Sequence, residues 1–275
     1  MSSNERMSVA EEFFSYEKFI WTLLNEAEQH NLPVEVIGIE TSKRTGVIYP
    51  LYRLVIHPEV KQTVCVVAGV HGNEIAGPLS ILHLIADVIY QLPKYRIIVY
   101  PLINPSGFDL RQRYDADGRD LNAIYSVTLK SDKYHEVQEF YQDALKFTPF
   151  EAVLTLHEDS DLEKFYMYGL GEENLDFYHA VCGFARTWIP AWTNADIYGC
   201  RSDEHGLILS TARDHAFDAK LFAQGLTRLA CTLETPGKLD IHFRVNMMAQ
   251  LVLLSLTMLD ARRWMTSPLP NKDGA

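Results

Sequence analysis

Residues 63–74 read TVCVVAGVHGNE, and this stretch decides how the rest of the chain is organised. Its first eight residues form an almost unbroken apolar run rich in β-branched side chains. A strand wet on one face alternates apolar and polar residues. A run without alternation belongs to a strand covered on both faces, as in a parallel sheet between helices. The run stops at His71, Gly72, Asn73 and Glu74, after which Leu82, Ile85, Ala86 and Ile89 repeat at helical spacing as far as Gln91. The order is therefore buried strand, polar turn, helix.

The same alternation recurs outward from this unit. Residues 96–103 predict a strand that ends at the loop Asn104-Pro105-Ser106-Gly107. A helical stretch over 131–146 leads to a second buried strand over 152–156, which ends at His157. Residues 228–233 predict a strand that stops at Glu234 and the turn Thr235-Pro236-Gly237. On the N-terminal side, residues 11–30 predict a helix, and 34–40 with 51–57 predict a hairpin around Lys43-Arg44-Thr45-Gly46. An apolar-faced helix over about 240–264 closes the pattern, with a loose tail after it. Strands alternating with helices predict an α/β fold with a largely parallel sheet and helices on both faces. No repeat, low-complexity segment or Gly/Ser/Pro-rich linker divides the chain, so residues 1–275 read as a single domain.

Composition narrows the function classes. With 275 residues, 47% hydrophobic and 22% charged, the chain has enough apolar surface to fold without disulfide or metal staples. A metal site here would serve function. The formal charge of −11, with no cluster of Lys and Arg, disfavours a nucleic-acid partner. Cys65, Cys182, Cys200 and Cys231 have no CxxC spacing, and Cys65 and Cys231 read as small buried hydrophobes. The N-terminal MSSNERMSVAEEFF lacks the basic start and apolar core of a signal peptide. The apolar run 247–259 is short for a membrane span and is interrupted by Gln250, Ser255 and Thr257. The expectation is a soluble, cytoplasmic chain with no membrane partner. Nothing in the sequence speaks to oligomeric state.

Polar residues gather at the predicted strand ends. His71 with Glu74, His157, and Glu234 each stand at or just after the end of a predicted central strand, and open α/β sheets build ligand sites at the carboxyl ends of their strands. His71 and Glu74 are three residues apart on the first turn of a helix, so both side chains reach one point. With His157 they make a His₂Glu set, a common catalytic zinc combination that leaves a fourth position for water. The metal lowers the pKa of that water and polarises a carbonyl. A carboxylate that is not a ligand must then take the proton, and Glu234 is the free one in the right kind of place. Singly, each residue has a plainer reading: a glutamate favouring a helix start, a hydrogen-bonded strand-end histidine, a turn glutamate. Those plain readings would have to hold together at three ends of one sheet. The intervening segment NPSGFDLRQRYDADGRDLN is too polar for core and predicts a long ordered loop. It carries Arg111, Arg113, Arg119 and Asn122, each able to bind a carboxylate or an oxyanion.

GVHGNE, NPSGF with a nearby arginine and DLN, LHED, and LETPG, in that order from about residue 64 to 237, resemble the zinc carboxypeptidase superfamily, including its succinylglutamate desuccinylase and aspartoacylase branch. The resemblance implies a three-layer α/β/α fold of the phosphorylase/hydrolase-like kind, with a mixed, mostly parallel eight-stranded sheet and one catalytic zinc. His71, Glu74 and His157 match the metal ligands and Glu234 the general base. Arg113 looks like the arginine that stabilises the oxyanion, and Asn122 like the asparagine that contacts the substrate carboxylate. Arg111 is a further candidate for substrate binding. One position departs: the family usually reads Asp-Leu-Asn-Arg, and here Asp120, Leu121 and Asn122 are followed by Ala123. Alanine cannot pair with a carboxylate, so Arg111, Arg119, Arg201 or Arg244 would have to substitute, or the substrate has no terminal carboxylate there. Tyr198 and His205 stand as substitutes for the family's active-site tyrosine. Tyr166 and Tyr168 read equally as pocket wall or as a strand pair. The reading is a zinc hydrolase of a peptide or amide bond acting on a small peptide or acyl-amino acid. The alternatives are an N-acyl amino acid amidohydrolase and, from another class, a binding protein that kept the fold.

Overall fold

The chain alternates strand and helix because its apolar residues alternate between two periods, and a computed structural model shows how those elements stack. It describes residues 15–87, 94–123, 135–210 and 216–261. In chain order the strands are β1 Val34–Thr41, β2 Ile48–Ile56, β3 Thr63–Ala68, β4 Arg96–Tyr100, β5 Ala152–Asp159, β6 Tyr166–Leu170, β7 Asp196–Ile197, β8 Cys200–Arg201, β9 Leu207–Ser210 and β10 Ala230–Pro236. The helices are α1 Tyr16–Gln29, α2 Ala76–Asp87, α3 Pro105–Asp109, α4 His135–Leu145, α5 Leu175–Ala185, α6 Phe217–Ala223 and α7 Ile241–Ala261. Eight strands form one sheet in the order β1-β2-β4-β3-β5-β10-β6-β9, and β7 pairs with β8 apart from it. The four central strands, β4, β3, β5 and β10, are parallel, while β1, β2 and β6 supply the antiparallel pairings.

Every residue of β3 and β5 is buried, as an unalternating apolar run requires. The period of two still sorts the side chains. Val64, Val66 and Ala68 enter one core with residues of α1, α2, α5 and α7. Cys65 and Val67 enter the other, with Val137 and Phe140 of α4 and Phe217 and Leu221 of α6. Each such valine contributes roughly 1.5–3 kcal/mol by leaving water. The result is the expected three-layer, mostly parallel sandwich. Because β3, β4, β5 and β10 run the same way, their carboxyl ends share one edge of the sheet.

Several boundaries differ from the sequence expectation. β5 runs on to Asp159 and β10 to Pro236, so His157 and Glu234 lie inside strands, paired with each other in register. Their polarity imitates a strand end. NPSG does not open a plain loop: Asn104 caps the short helix α3, accepting from the Gly107 N–H, with Pro105 in the first turn. β6, β9, α5, α6 and the β7–β8 hairpin were not assigned from sequence as elements of the fold, apart from the strand reading of Tyr166 and Tyr168. By length and composition alone the stretch Ile241–Leu259 of α7 would suit a membrane span. In the fold it packs on α2, α5 and β10, burying Met247, Met248, Leu251, Val252 and Leu256. Of the expected helices, residues 11–14, 88–91, 131–134 and 262–264 lie outside the described residues.

The segment after α3 is anchored by buried charge. Glu40, at the end of β1, is only 1% exposed and accepts from the Ser106 backbone N–H at 3.3 Å. Nearby, Arg119 pairs with Asp115 and, at 2.7 Å, with Glu136. Burial pushes the Glu40 carboxyl up to about 7, partly opposed by its Ser106 hydrogen bonds, with Asp115 and Glu136 adding to the rise. Since its folded value lies above the ordinary 4.5, the folded state holds the proton more tightly. That contribution is complete below about pH 4.5 and is lost as pH rises through about 7. Urea unfolding of the wild type from pH 5 to 8 is therefore expected to lose on the order of 2 kcal/mol more than Glu40→Gln does. Parallel profiles for the two proteins would contradict this account.

Candidate metal centre

Three side chains meet at one point. His71 and Glu74 stand in the turn between β3 and α2, which begins only at Ala76, and not on the first turn of the helix as the spacing suggested, while His157 projects from within β5. His71 Nδ1 lies 2.7 Å from one Glu74 oxygen, and His157 Nδ1 lies 2.7 Å from the other. The two Nδ1 atoms are 3.1 Å apart. All three residues are buried, between 2% and 4% exposed. They form the one group of candidate ligands found among the described residues. Burial alone would raise the Glu74 carboxyl, but the His157 and His71 charges hold it far below the ordinary range. Burial alone would lower His71, and Glu74 with Asp120 reverses that and raises it. Two ring nitrogens and a carboxylate facing one another in a dry place are the donor set of a divalent cation. Ligands about 2.1 Å from a tetrahedral zinc stand about 3.4 Å apart, so a small outward shift of these atoms accommodates one.

The backbone around the site is tightly fitted. Gly72 must be glycine, because a Cβ there would stand 2.0 Å from the Gly107 carbonyl carbon. That contact sets α3 against the end of β3. Asn104, fully buried, donates from Nδ2 to the Val70 carbonyl at 3.2 Å and to the Arg113 carbonyl at 3.1 Å. The Gly72 N–H donates to the same Arg113 carbonyl at 3.2 Å. Asn104 thus ties the residue before His71 to the residue carrying the nearby guanidinium. On the other side, the Glu158 N–H donates to Glu74 at 3.2 Å, and the Glu158 carboxylate accepts from the Ala76 N–H at 2.7 Å and from Arg244. Glu158 thereby links the start of α2 to β5.

The remaining groups face the ligands across a cavity of about 560 Å³. Its wall includes Glu234, Arg113 and Asn122, three residues expected from sequence. Glu234 lies opposite His157 in the strand register. Burial pushes its carboxyl up to about 8; His157 opposes the shift, while Glu74 and Asp159 add to it. Arg113 is half exposed, with its guanidinium 3.4 Å from Glu74 and 3.8 Å from Asp120. Arg111 is exposed, sits at a left-handed position (φ 55°) after α3, and is not part of the cavity wall. Of the substitutes for an arginine at position 123, Arg119 is engaged with Asp115 and Glu136, and Arg244 with Glu158. Arg201 is exposed, and Arg113 is the only arginine lining the cavity among the described residues. Tyr166 and Tyr168 do line it, and they also pair across β6 and β10 as a strand would, so both readings hold. Tyr198, at the tip of the β7–β8 hairpin, donates to Asp159 at 3.2 Å, and Tyr166 donates to the other oxygen at 2.9 Å. His205 lies elsewhere, its ring 4.1 Å from that of His179.

Sequence reasoning missed Asp120 and Asp218. Asp120 lies 3.5 Å from His71 Nε2, behind the imidazole, and its interaction with His71 holds its own carboxyl below the ordinary range. Its place in DLN was the available signal. Asp218, on α6, reaches the cavity from a stretch without a readable period.

The family model for the succinylglutamate desuccinylase/aspartoacylase catalytic domain matches residues 60–262. Solved structures share the fold. A candidate metallopeptidase from Shewanella amazonensis is 24% identical with a TM-score of 0.77, over 88% of this chain and 92% of that one. A metallo-carboxypeptidase from Pseudomonas aeruginosa, in complex with (2-guanidinoethylmercapto)succinic acid, is 19% identical with a TM-score of 0.60, over 86% and 68%. A succinylglutamate desuccinylase from a Silicibacter species is 14% identical with a TM-score of 0.59, over 83% and 67%. At these identities the likeness is one of fold. No curated protein matches the chain.

The elevated Glu234 carboxyl makes the site testable before any substrate is known. With its value near 8 in the metal-free protein, Glu234 is mostly neutral at pH 7. A divalent cation at the ligands would lower that value and release the proton. Calorimetry of zinc binding at pH 7, in buffers of different ionisation enthalpy, is expected to show about one more proton released by the wild type than by Glu234→Gln. Equal release from the two would show that Glu234 does not sense the ion.

Proposed function

The chain belongs to the succinylglutamate desuccinylase/aspartoacylase catalytic-domain family, and on that premise we propose that it is a zinc-dependent hydrolase of a peptide or amide bond. The observation that carries the reading is the convergence of His71, Glu74 and His157 on one buried point, with Glu234 in register across from His157. His71 and His157 through Nδ1, and Glu74 through its carboxylate, would hold the ion. Zinc in such a place supplies Lewis acidity, making a water easier to deprotonate and a carbonyl more electrophilic.

The chain's own residues do the rest. Glu234 as a carboxylate accepts the proton of the attacking water and delivers it to the departing nitrogen, so one group serves both directions of transfer. Its burial keeps its basicity high enough for that exchange near neutral pH. Arg113, held in place through its carbonyl by Asn104 and Gly72, presents a guanidinium toward the carbonyl oxygen as negative charge builds there. Asn122 in the cavity wall orients the substrate through its amide. Asp120 keeps the His71 ring aimed. The substrate is a small peptide or an acyl-amino acid. Within that class the family match favours the second, removal of an acyl group from an amino acid.

Glu234→Gln is expected to lower kcat by about 10³-fold while zinc content, read by elemental analysis, stays at one per chain. Arg113→Ala should lower kcat by about 10²-fold or more and move KM little. Undiminished turnover in the Glu234 variant would remove the base from the mechanism, and a chain that fails to retain zinc would remove the mechanism itself.

A further inference from the structure

Two arginines stand near the metal ligands, and only one of them can meet a molecule in the cavity. Arg113 borders that space. Arg244 does not: its side chain, 14% exposed, stands behind Glu158, which does. Arg244 belongs to the first turn of α7, whose start is capped by Asp240, the carboxylate accepting from the His242 and Phe243 N–H groups at 3.0 and 3.3 Å. A cation in that turn opposes the helix dipole, so local preference does not account for it. Its partner does, because the guanidinium pairs with the buried carboxylate of Glu158.

Glu158 follows His157 directly and holds the site from two sides. Its N–H donates to a Glu74 oxygen at 3.2 Å, and its carboxylate accepts from the Ala76 N–H at 2.7 Å, two residues past Glu74. It therefore puts a second buried carboxylate close to that of Glu74, which is costly without a compensating cation. The two histidines compensate Glu74; among the described residues Arg244 is the ion-pair partner of Glu158. The approach of α7 is itself fixed. The Gly237 N–H donates to the Asp159 carbonyl at 2.7 Å, and a Cβ at Gly237 would stand 2.6 Å from the Ser160 Cα. The turn after β10 is thus pressed on the end of β5, and the chain enters α7 from there.

We propose that Arg244 is a positioning residue of the metal centre. Acting through Glu158, it holds Glu74 and the head of α2 where the ion binds, so affinity for zinc depends on a side chain of α7 that touches neither ion nor substrate. The inference rests on the zinc part of the hydrolase reading and is independent of which bond is cut. Coupling of this kind is reciprocal, so an ion at the ligands must in turn tighten the first turn of α7. A simpler role, pinning α7 to the sheet, would stabilise the fold and leave the affinity for zinc alone.

Zinc affinity, read by competition with a chelating dye on protein whose folding is verified by circular dichroism, separates the two roles. Arg244→Met is expected to bind zinc about ten- to a hundredfold more weakly than the wild type. In a Glu158→Gln background, where no buried charge needs a partner, the same change should weaken binding by less than about twofold. Unchanged affinity in folded Arg244→Met overturns the proposal, as does an equal loss in both backgrounds, and either result leaves the hydrolase reading intact. Should Arg244→Met fail to fold, hydrogen exchange of the wild type decides. Zinc is expected to slow the amides in the first turn of α7 more than those of α4, which packs on the other face of the sheet, and equal slowing overturns the proposal. A wild type that binds no zinc removes the hydrolase reading and this inference with it.

Discussion

Glu74 makes the contact on which the site depends. Its two oxygens each reach one imidazole nitrogen at 2.7 Å, and those nitrogens come from residues 86 positions apart in the chain. Burying a carboxylate is costly unless charge or hydrogen bonds compensate it, and here two histidines and the Glu158 N–H do so. The fold exists around that meeting in a specific sense. Parallel strands deliver their carboxyl ends to one edge, so β3 and β5 bring His71 and His157 together without any loop reaching across. The first turn before α2 supplies the carboxylate between them.

A site built this way needs its backbone fixed to within a few tenths of an ångström, and the surrounding polar bonds do that work. Gly72 allows α3 to lie against the end of β3, Asn104 spans Val70 and Arg113, and Glu158 spans β5 and the start of α2. Farther back, Glu40, Asp115, Arg119 and Glu136 hold the segment that carries Arg113 and Asp120. These are buried charged groups with partners on different elements, so loss of any one leaves another uncompensated. The Arg113 segment is therefore ordered from behind, while its guanidinium stays half exposed at the cavity.

The parts legible in the sequence were those with a strong period. The unalternating run 63–70 predicted β3 and with it the parallel sheet, and the polar residues that interrupt such runs are ones the structure brings to a single cavity. The same logic misplaced two boundaries: His157 and Glu234 belong to their strands, and their polarity was mistaken for a terminus. Several elements beyond Asp159 are short, with β6 and β9 of five and four residues and α6 of seven, too brief for a period to show. Asp218 could not be read there. It looks like any acidic residue favouring the first turn of a helix, and only the tertiary placement of α6 over Thr232 turns it into a cavity wall. Asp120 was hidden differently, in a motif whose next residue, Ala123, drew attention to what was missing.

Among the described residues no second arginine takes the place left at Ala123. Arg119 is committed to Asp115 and Glu136 and Arg244 to Glu158, while Arg113 lies between Glu74 and Asp120. The carboxylates in these pairs are mostly buried, so an arginine released to meet a ligand would leave a carboxylate uncompensated. The ion pairs that hold the Arg113 segment in place are therefore the same ones that keep Arg119 from the cavity.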